Sequence, residues 1–455
     1  MSISTLPAAK IADDPACVKQ VKPWWFLFRV NQDPLAVLEQ LALEHGDIAQ
    51  VKIGPRHLVL LSHPDFVHDL LVTNGRDFVK GPALQRARRL LGNGLLTSEG
   101  ETHLRDRRMV QPAFHRERVA VYAETMVTEA ERMASQWTDG ATLDMAKEMM
   151  RLTLVVAGKT LFDASVEDDA QAVGEAMDEL MHLFNVINNP LSEWLLRLPL
   201  SPANRLRAAD SRLRTIVQRM IAERRAGVPG DDLLSMLLMA RDVEGDGRAL
   251  SDAQILDEVL TLFLAGHETT ANALTWSWYL LSQNPAAAAR LHQEVDEVLK
   301  GRLPTVEDVP ALSFTRAVFN EALRLYPPAW VIGREAVSEV KIGGVTIPAG
   351  ASVLASPWII HRDPRFYRQP EQFNPERWQP ELAADRHKLA FFPFGSGSRK
   401  CIGESFAWME GVLVLATLAQ RWRLRLDPNQ RIALQPSVTL RPRYGMQMTV
   451  ASRSM

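Results

Sequence analysis

The stretch from Leu250 to Asn284 sets the strongest limit on what this chain can fold into. It opens on Leu250-Ser251-Asp252-Ala253-Gln254, with Ser251 placed as an N-cap and Gln254 three residues on, the spacing of a capping box. No proline follows until Pro285, which allows about thirty helical residues, well above the usual length. Ile255, Leu256, Val259, Leu260, Leu262, Phe263 and Leu264 leave little polar face, and a helix apolar nearly all round has to run through the middle of a protein. A polar cluster, Ala265-Gly266-His267-Glu268-Thr269-Thr270, sits at its centre. Mid-helix threonine bonds back to the carbonyl four residues earlier, here Ala265, and glycine weakens the ladder further. The two predict a local bulge that opens a pocket for water or dioxygen; a satisfied buried polar patch is the plain alternative. His267-Glu268 also begins a zinc-protease motif, but residue 271 is Ala where the second His is required, which removes that reading.

A second informative stretch is Phe391-Phe-Pro-Phe394-Gly395-Ser-Gly397-Ser-Arg399-Lys400-Cys401-Ile-Gly403-Glu404. Cys401 ends a Gly/Ser loop and opens an apolar helix read from Phe406 to Trp422. Helix N-terminal N–H groups, with Arg399 and Lys400 beside the sulfur, favour a thiolate. Gly395, Gly397 and Gly403 bring no Cβ, so the backbone can approach something flat and bulky. A thiolate held under a planar group is how a protein ligates haem iron through cysteine. A buried structural cysteine and a nucleophile are the competing readings, though no general base is evident in this stretch.

Taken together, Phe394, Gly397, Arg399, Cys401 and Gly403 resemble the haem-binding signature of the cytochrome P450 family, Phe-x-x-Gly-x-Arg-x-Cys-x-Gly. The hexamer Ala265–Thr270 resembles that family's oxygen-activation motif. The resemblance implies a mainly α prism with a small β-rich lobe, an α+β fold built around the long helix. It implies haem b with Cys401 as the proximal iron ligand, Arg399, His103, Arg107 and Arg334 toward the propionates, and Ala265, Phe394, Gly395 and Gly403 as further cofactor contacts. His103 and Arg107 have the i, i+4 spacing that points both one way, with His where tryptophan is more general in the family. Thr269 then matches the hydroxyl that meets dioxygen, and Glu268 the acid that relays solvent protons; His267 faces away. Glu321-Ala-Leu-Arg324 and Arg377 imply a buried structural ion cluster that holds the Cys401 loop. Leu262, Trp330, Val331, Ile332, Val438 and Thr439 are expected to line an apolar substrate cavity, and Met177 to Leu200 to form a lid.

Composition fits this reading. Of 455 residues 46% are hydrophobic and 23% charged, ordinary for a globular protein with ample core. A formal net charge of −2 argues against general attraction to nucleic acid or anionic membranes. Two cysteines, one assigned to iron, leave no disulfide framework and suit a reducing cytoplasm; Cys17 receives no role. Met1–Pro7 has neither the basic nor the apolar region of a signal peptide, and Trp24–Phe28 is far too short for the roughly twenty residues of a span. The expectation is a soluble bacterial monomer without a transmembrane anchor, with an N-terminal tail over 1–33 and one catalytic domain over 34–455.

Helices are expected at Pro34–Gly46, Pro64–Leu71 and Leu312–Tyr326, a hairpin around Gly54-Pro55-Arg56, irregular chain from Gly75 to Gly100, and strands near Val340–Leu354 and Ile432–Val450. Gly395-Ser-Gly397 has Lys400 where the third glycine of a dinucleotide fingerprint belongs. Electrons, ultimately from NAD(P)H, are therefore assigned to a separate ferredoxin or flavodoxin with its reductase; by analogy with the family Arg105 and Arg108 meet that acidic partner, with a plain solvated face as the equal alternative. The implied activity is insertion of one atom of dioxygen into an apolar molecule such as a fatty acid, terpene, steroid or polyketide, by hydroxylation or epoxidation. A peroxide-driven peroxygenase or isomerase and a non-catalytic haem sensor are the rival readings; the Glu268-Thr269 pair argues against the first.

Overall fold

The computed structural model describes residues 19–21, 23–162, 176, 179, 201–227, 230, 232–242, 244–245 and 247–453. Cys17 and all but Glu179 of the expected lid fall outside them. The chain folds as two compact units, Met1–Gln85 with Asn320–Cys401, and Arg86–Phe319 with Ile402–Met455.

The first unit is built on a six-stranded mixed sheet in the order Lys19–Val21, Ile48–Ile53, Arg56–Leu61, Ser352–Ala355, Ile332–Ala336, Phe78–Lys80. The expected hairpin sets its register, with Ile48 opposite Leu61 and Ile53 opposite Arg56 across Gly54-Pro55. Gly54 takes φ +60°, a value few other residues tolerate in a two-residue turn. Val59, Leu61, Phe78, Val353 and Ala355 pack with Val67 and Leu70 into one buried core. Residues 19–32, read as tail, belong to this fold: Lys19–Val21 pairs in parallel with Val51–Ile53 and Pro23–Gln32 is helical. The helix Pro34–His45 is capped by Asp33, whose Oδ1 accepts from Ala36 N at 3.1 Å, and stops at Gly46 with φ +72°. The helix expected over Pro64–Leu71 divides into Pro64–His68 and a π-turn, Asp69–Thr73.

In the second unit the helix Asp252–Gln283 runs for 32 residues, with the predicted capping box: Ser251 N donates to Gln254 Oε1 at 3.0 Å and Gln254 N to Ser251 Oγ at 3.4 Å. It packs against Met145–Phe162, where Phe162 stacks on Phe263 at 4.3 Å and Thr153 Oγ1 donates to His267 O at 2.9 Å. The helix Glu404–Arg421 lies against Arg116–Ser135 through a Tyr122–Phe406 edge contact, and Gly411 lets the Phe319 ring come close. Trp422–Leu426, Gln447–Ser452 and Thr142–Asp144 form a small antiparallel sheet, and Leu434–Pro436 pairs with Leu440–Pro442.

Two expectations change. The segment taken as irregular between Gly75 and Gly100 contains a helix, Pro82–Leu91, whose Ala87, Leu90 and Leu91 are buried at helical spacing between arginines. The central helix also carries no bulge at its polar cluster. It runs on unbroken, because a carbonyl oxygen has two lone pairs and Ala265 can take the Thr269 hydroxyl without leaving the ladder. Among the described residues no helix is long and apolar enough to cross a membrane.

Candidate active site

In the first unit the Cys401 loop is a sequence of short backbone bonds. Gly395 N donates to Phe392 O at 3.0 Å, Lys400 N to Gly397 O at 3.1 Å, and Cys401 N back to Phe394 O at 2.9 Å. Gly395 and Gly397 have φ of +68° and +72°. A Cβ on Gly397 would overlap the Leu71 carbonyl, so this glycine serves a close approach to the chain's own π-turn. A Cβ on Gly395 would meet only Ile332, at 3.5 Å, which leaves open space along that side of the loop. Gly403 has φ −85° and needs no glycine for its backbone. Cys401 is exposed, in no disulfide, and lies three residues before the helix Glu404–Arg421, which begins two residues earlier than its apolar pattern indicates.

The same unit holds a buried ion network centred on Glu321. Glu321 Oε1 accepts from Arg324 Nη2 at 2.8 Å, Arg377 Nε at 2.8 Å and Asn374 N at 3.0 Å; Oε2 accepts from Arg324 Nε at 2.9 Å and Trp378 Nε1 at 2.9 Å. Arg324 also donates to the carbonyls of His361 (2.8 Å), Pro370 (2.6 Å) and Gln372 (3.2 Å), and lies over the Tyr367 ring at 5.0 Å. The Tyr367 hydroxyl donates to Ala390 O at 2.8 Å, next to the Cys401 loop. Burial alone pushes the Glu321 carboxyl up, but Arg324 and Arg377 outweigh it and hold the group below the ordinary glutamate range. Arg399 Nη1 donates to Gly75 O at 3.1 Å, and the buried Arg334 to Gly333 O at 3.0 Å. Trp330, Val331 and Ile332 are half-buried.

The second unit brings Glu268 and Thr269 to the middle of the long helix. On a helix otherwise buried on almost every side, Ala265 is exposed and Gly266 and Thr269 are half-buried. Thr269 Oγ1 donates to Ala265 O at 2.8 Å. Glu268 is buried, and its Oε1 accepts from Arg441 Nε at 2.8 Å and from the Thr439 hydroxyl. Asn272 Nδ2 reaches Thr439 Oγ1 at 3.1 Å. The Thr439 hydroxyl is thus committed to this network, and Leu262 is buried like Thr439, while Val438 is half-buried. His267 is a core residue whose Nδ1 bonds Phe263 O at 2.7 Å. His103 is buried and Arg107 half-buried on one face of Gly100–Val110. Arg105 and Arg108 are paired within the chain, to Asp106 and Asp242, each at 2.9 Å.

The sequence model of the family described as "Cytochrome P450" matches residues 18–450. The chain belongs to the cytochrome P450 family. It is 43% identical to cyclooctatin synthase of Streptomyces melanosporofaciens over 90% of this chain and 89% of that protein. It is 39% identical to pentalenene oxygenase of Streptomyces avermitilis over 91% of each. The fold matches the crystal structure of the cytochrome P450DA heme domain with TM-score 0.84, at 30% identity, over 92% of this chain and 93% of that one. This cytochrome P450 is therefore a haem-dependent monooxygenase that uses dioxygen on an apolar substrate, with electrons from a redox partner. The donor set fits that cofactor. Among the described residues no three His, Cys, Asp or Glu side chains are grouped to cage a bare ion, whereas iron carried in a porphyrin needs one exposed thiolate.

Glu410 was not anticipated. It lies inside the apolar helix Glu404–Arg421, fully buried; the Thr270 hydroxyl faces it, yet neither carboxyl oxygen makes a hydrogen bond of ordinary geometry. Burial pushes its pKa up to about 8, so the group is mainly a neutral acid at pH 7. A lone acid within Met409-Glu410-Gly411-Val412-Leu413 was the available sign.

Removing one partner from the Glu321 cluster leaves a buried charge uncompensated, at about 3–5 kcal/mol. Lysine cannot reproduce the arginine fork, so Arg324→Lys is expected to lose most folded, haem-loaded protein, measured as haem absorbance per chain after purification. For Glu410 the folded pKa is raised, so the native state holds the proton more tightly than the unfolded chain. Stability falls as pH rises from about 4.5 to about 8. Glu410→Gln should flatten that decline, melting higher than wild type near pH 8 and not near pH 5.

Proposed function

We propose that this cytochrome P450 oxidises a cyclic terpene or terpene alcohol. The observation that carries this reading is the set of relatives: cyclooctatin synthase, cyclooctat-9-en-7-ol 5-monooxygenase (40% identical over 87% of this chain) and pentalenene oxygenase. Apolar side chains left partly open in each unit, Trp330, Val331 and Ile332 in the first and Val438 and Ala265 in the second, suit a hydrocarbon better than a charged ligand.

Cys401 supplies the thiolate for haem b, which when bound provides the dioxygen chemistry. His103, Arg107, Arg334 and Arg399 would hold its two propionates, and Phe394, Gly395, Gly403 and Ala265 would be further contacts to it. Hydrogen bonds from Arg334 to Gly333 O and from Arg399 to Gly75 O help orient these two guanidinium groups. Because Thr269 Oγ1 gives its own proton to Ala265 O, its lone pairs turn away from the helix and accept a hydrogen bond from a donor on the open side. Glu268 is the acid that returns protons from solvent, and Arg441 and Thr439 orient its carboxylate by holding Oε1. NAD(P)H electrons arrive through a reductase and a ferredoxin or flavodoxin, and the protein works as a cytoplasmic monomer.

Terpene hydrocarbons and their alcohols should shift the Soret band on titration and be converted with a reconstituted redox chain. Binding and turnover confined to fatty acids would overturn the terpene assignment. In Thr269→Ala we expect NAD(P)H consumption to continue while product falls and hydrogen peroxide rises; unchanged coupling would remove Thr269 from the proton path.

A further inference from the structure

His361 is fully buried, in the turn that follows Pro357–Ile360, and no step above uses it. Its surroundings define its proton. Nε2 accepts from Phe392 N at 3.0 Å, so Nε2 carries the lone pair and Nδ1 the hydrogen. Nδ1 sits against the carbonyls of Leu323 and Arg324 without reaching hydrogen-bonding geometry. Burial first, then the Arg324 and Arg362 charges, hold the ring well below the ordinary histidine range, so it stays neutral. The ring packs against Phe391 (5.2 Å) and edge-on to Phe392 (5.4 Å). At its other end the His361 carbonyl takes Arg324 Nη1 at 2.8 Å. Phe392 is in turn the acceptor for Gly395 N, and Phe394 for Cys401 N.

We propose that His361 is the positioning residue of the Cys401 loop: one side chain and its own carbonyl join the Glu321–Arg324 cluster to the backbone at Phe392, and so fix where the thiolate stands. The inference rests on Cys401 as the haem ligand only for its consequence, since the anchoring itself is a backbone contact. Without the acceptor, Phe392 N–H is left buried and unpaired, a fault local to residues 391–401.

The test uses the purified holoprotein, with His361→Leu removing the acceptor and His361→Gln returning one at the Nε2 position. Two readouts apply: hydrogen–deuterium exchange of the segment 391–401, and the rate at which the red-shifted carbon monoxide band of the reduced protein decays on warming. In His361→Leu we expect exchange in that segment to quicken roughly tenfold or more, with distant segments unchanged and the band decaying faster, while His361→Gln stays close to wild type. If leucine does not fold but glutamine gives wild-type exchange and band decay, the acceptor is again what matters. Equal exchange and decay in leucine and wild type would overturn the assignment, as would leucine and glutamine failing alike. A wild type without any red-shifted band would count against Cys401 as the haem ligand instead, and the exchange data would still decide whether His361 anchors the loop.

Discussion

A carboxylate sealed from water survives as an ion only where its lone pairs are filled by donors, and the cysteine-bearing half of this molecule is arranged around one that is. Glu321 takes five donors from four residues, Arg324, Asn374, Arg377 and Trp378. The two arginines then use their remaining N–H groups on carbonyls of His361, Arg368, Pro370 and Gln372. Carbonyls of an irregular stretch are thereby given donors that regular secondary structure does not supply there. Tyr367 and His361 extend these contacts to Ala390 and Phe392, the residues that lead into the cysteine loop. The cluster is thereby joined, through Tyr367 and His361, to the backbone that leads to Cys401.

The second unit places its polar groups with equal economy. One long, mostly buried helix keeps Thr269 half open and buries Glu268 one residue earlier, so neighbours in sequence face different surroundings. Thr269 is oriented by its own helix, through Ala265. Glu268 is oriented from outside it, by Arg441 and Thr439 near the C-terminus.

Much of this was legible in the sequence where spacing along one element carries the information. The capping box at Ser251, the Thr269–Ala265 bond, the Glu321–Arg324 pair at i, i+3 and the hairpin at Gly54 all follow from local geometry, and all are found. Contacts between distant positions were legible only where the family resemblance supplied them, as for Arg377 with Glu321. Nothing around Arg441 marks it as the partner of Glu268, 173 positions away; nothing in the basic helix assigns Arg108 to Asp242; and Trp378, Tyr367 and His361 look like ordinary core residues. Gly397 was legible as necessary but for another cause, since its missing side chain makes room for Leu71. The expected bulge failed because a carbonyl can accept twice, and the helix at Pro82–Leu91 was hidden by its arginines.

The central claim is that Cys401 holds the haem iron as a thiolate. It is tested most directly by the visible spectrum of the dithionite-reduced protein under carbon monoxide, for wild type and for Cys401→Ala. We expect a strongly red-shifted Soret band in wild type that is absent from the variant. A band like that of histidine-ligated haem in properly folded wild-type protein would contradict the claim, and with it the functional reading of the loop.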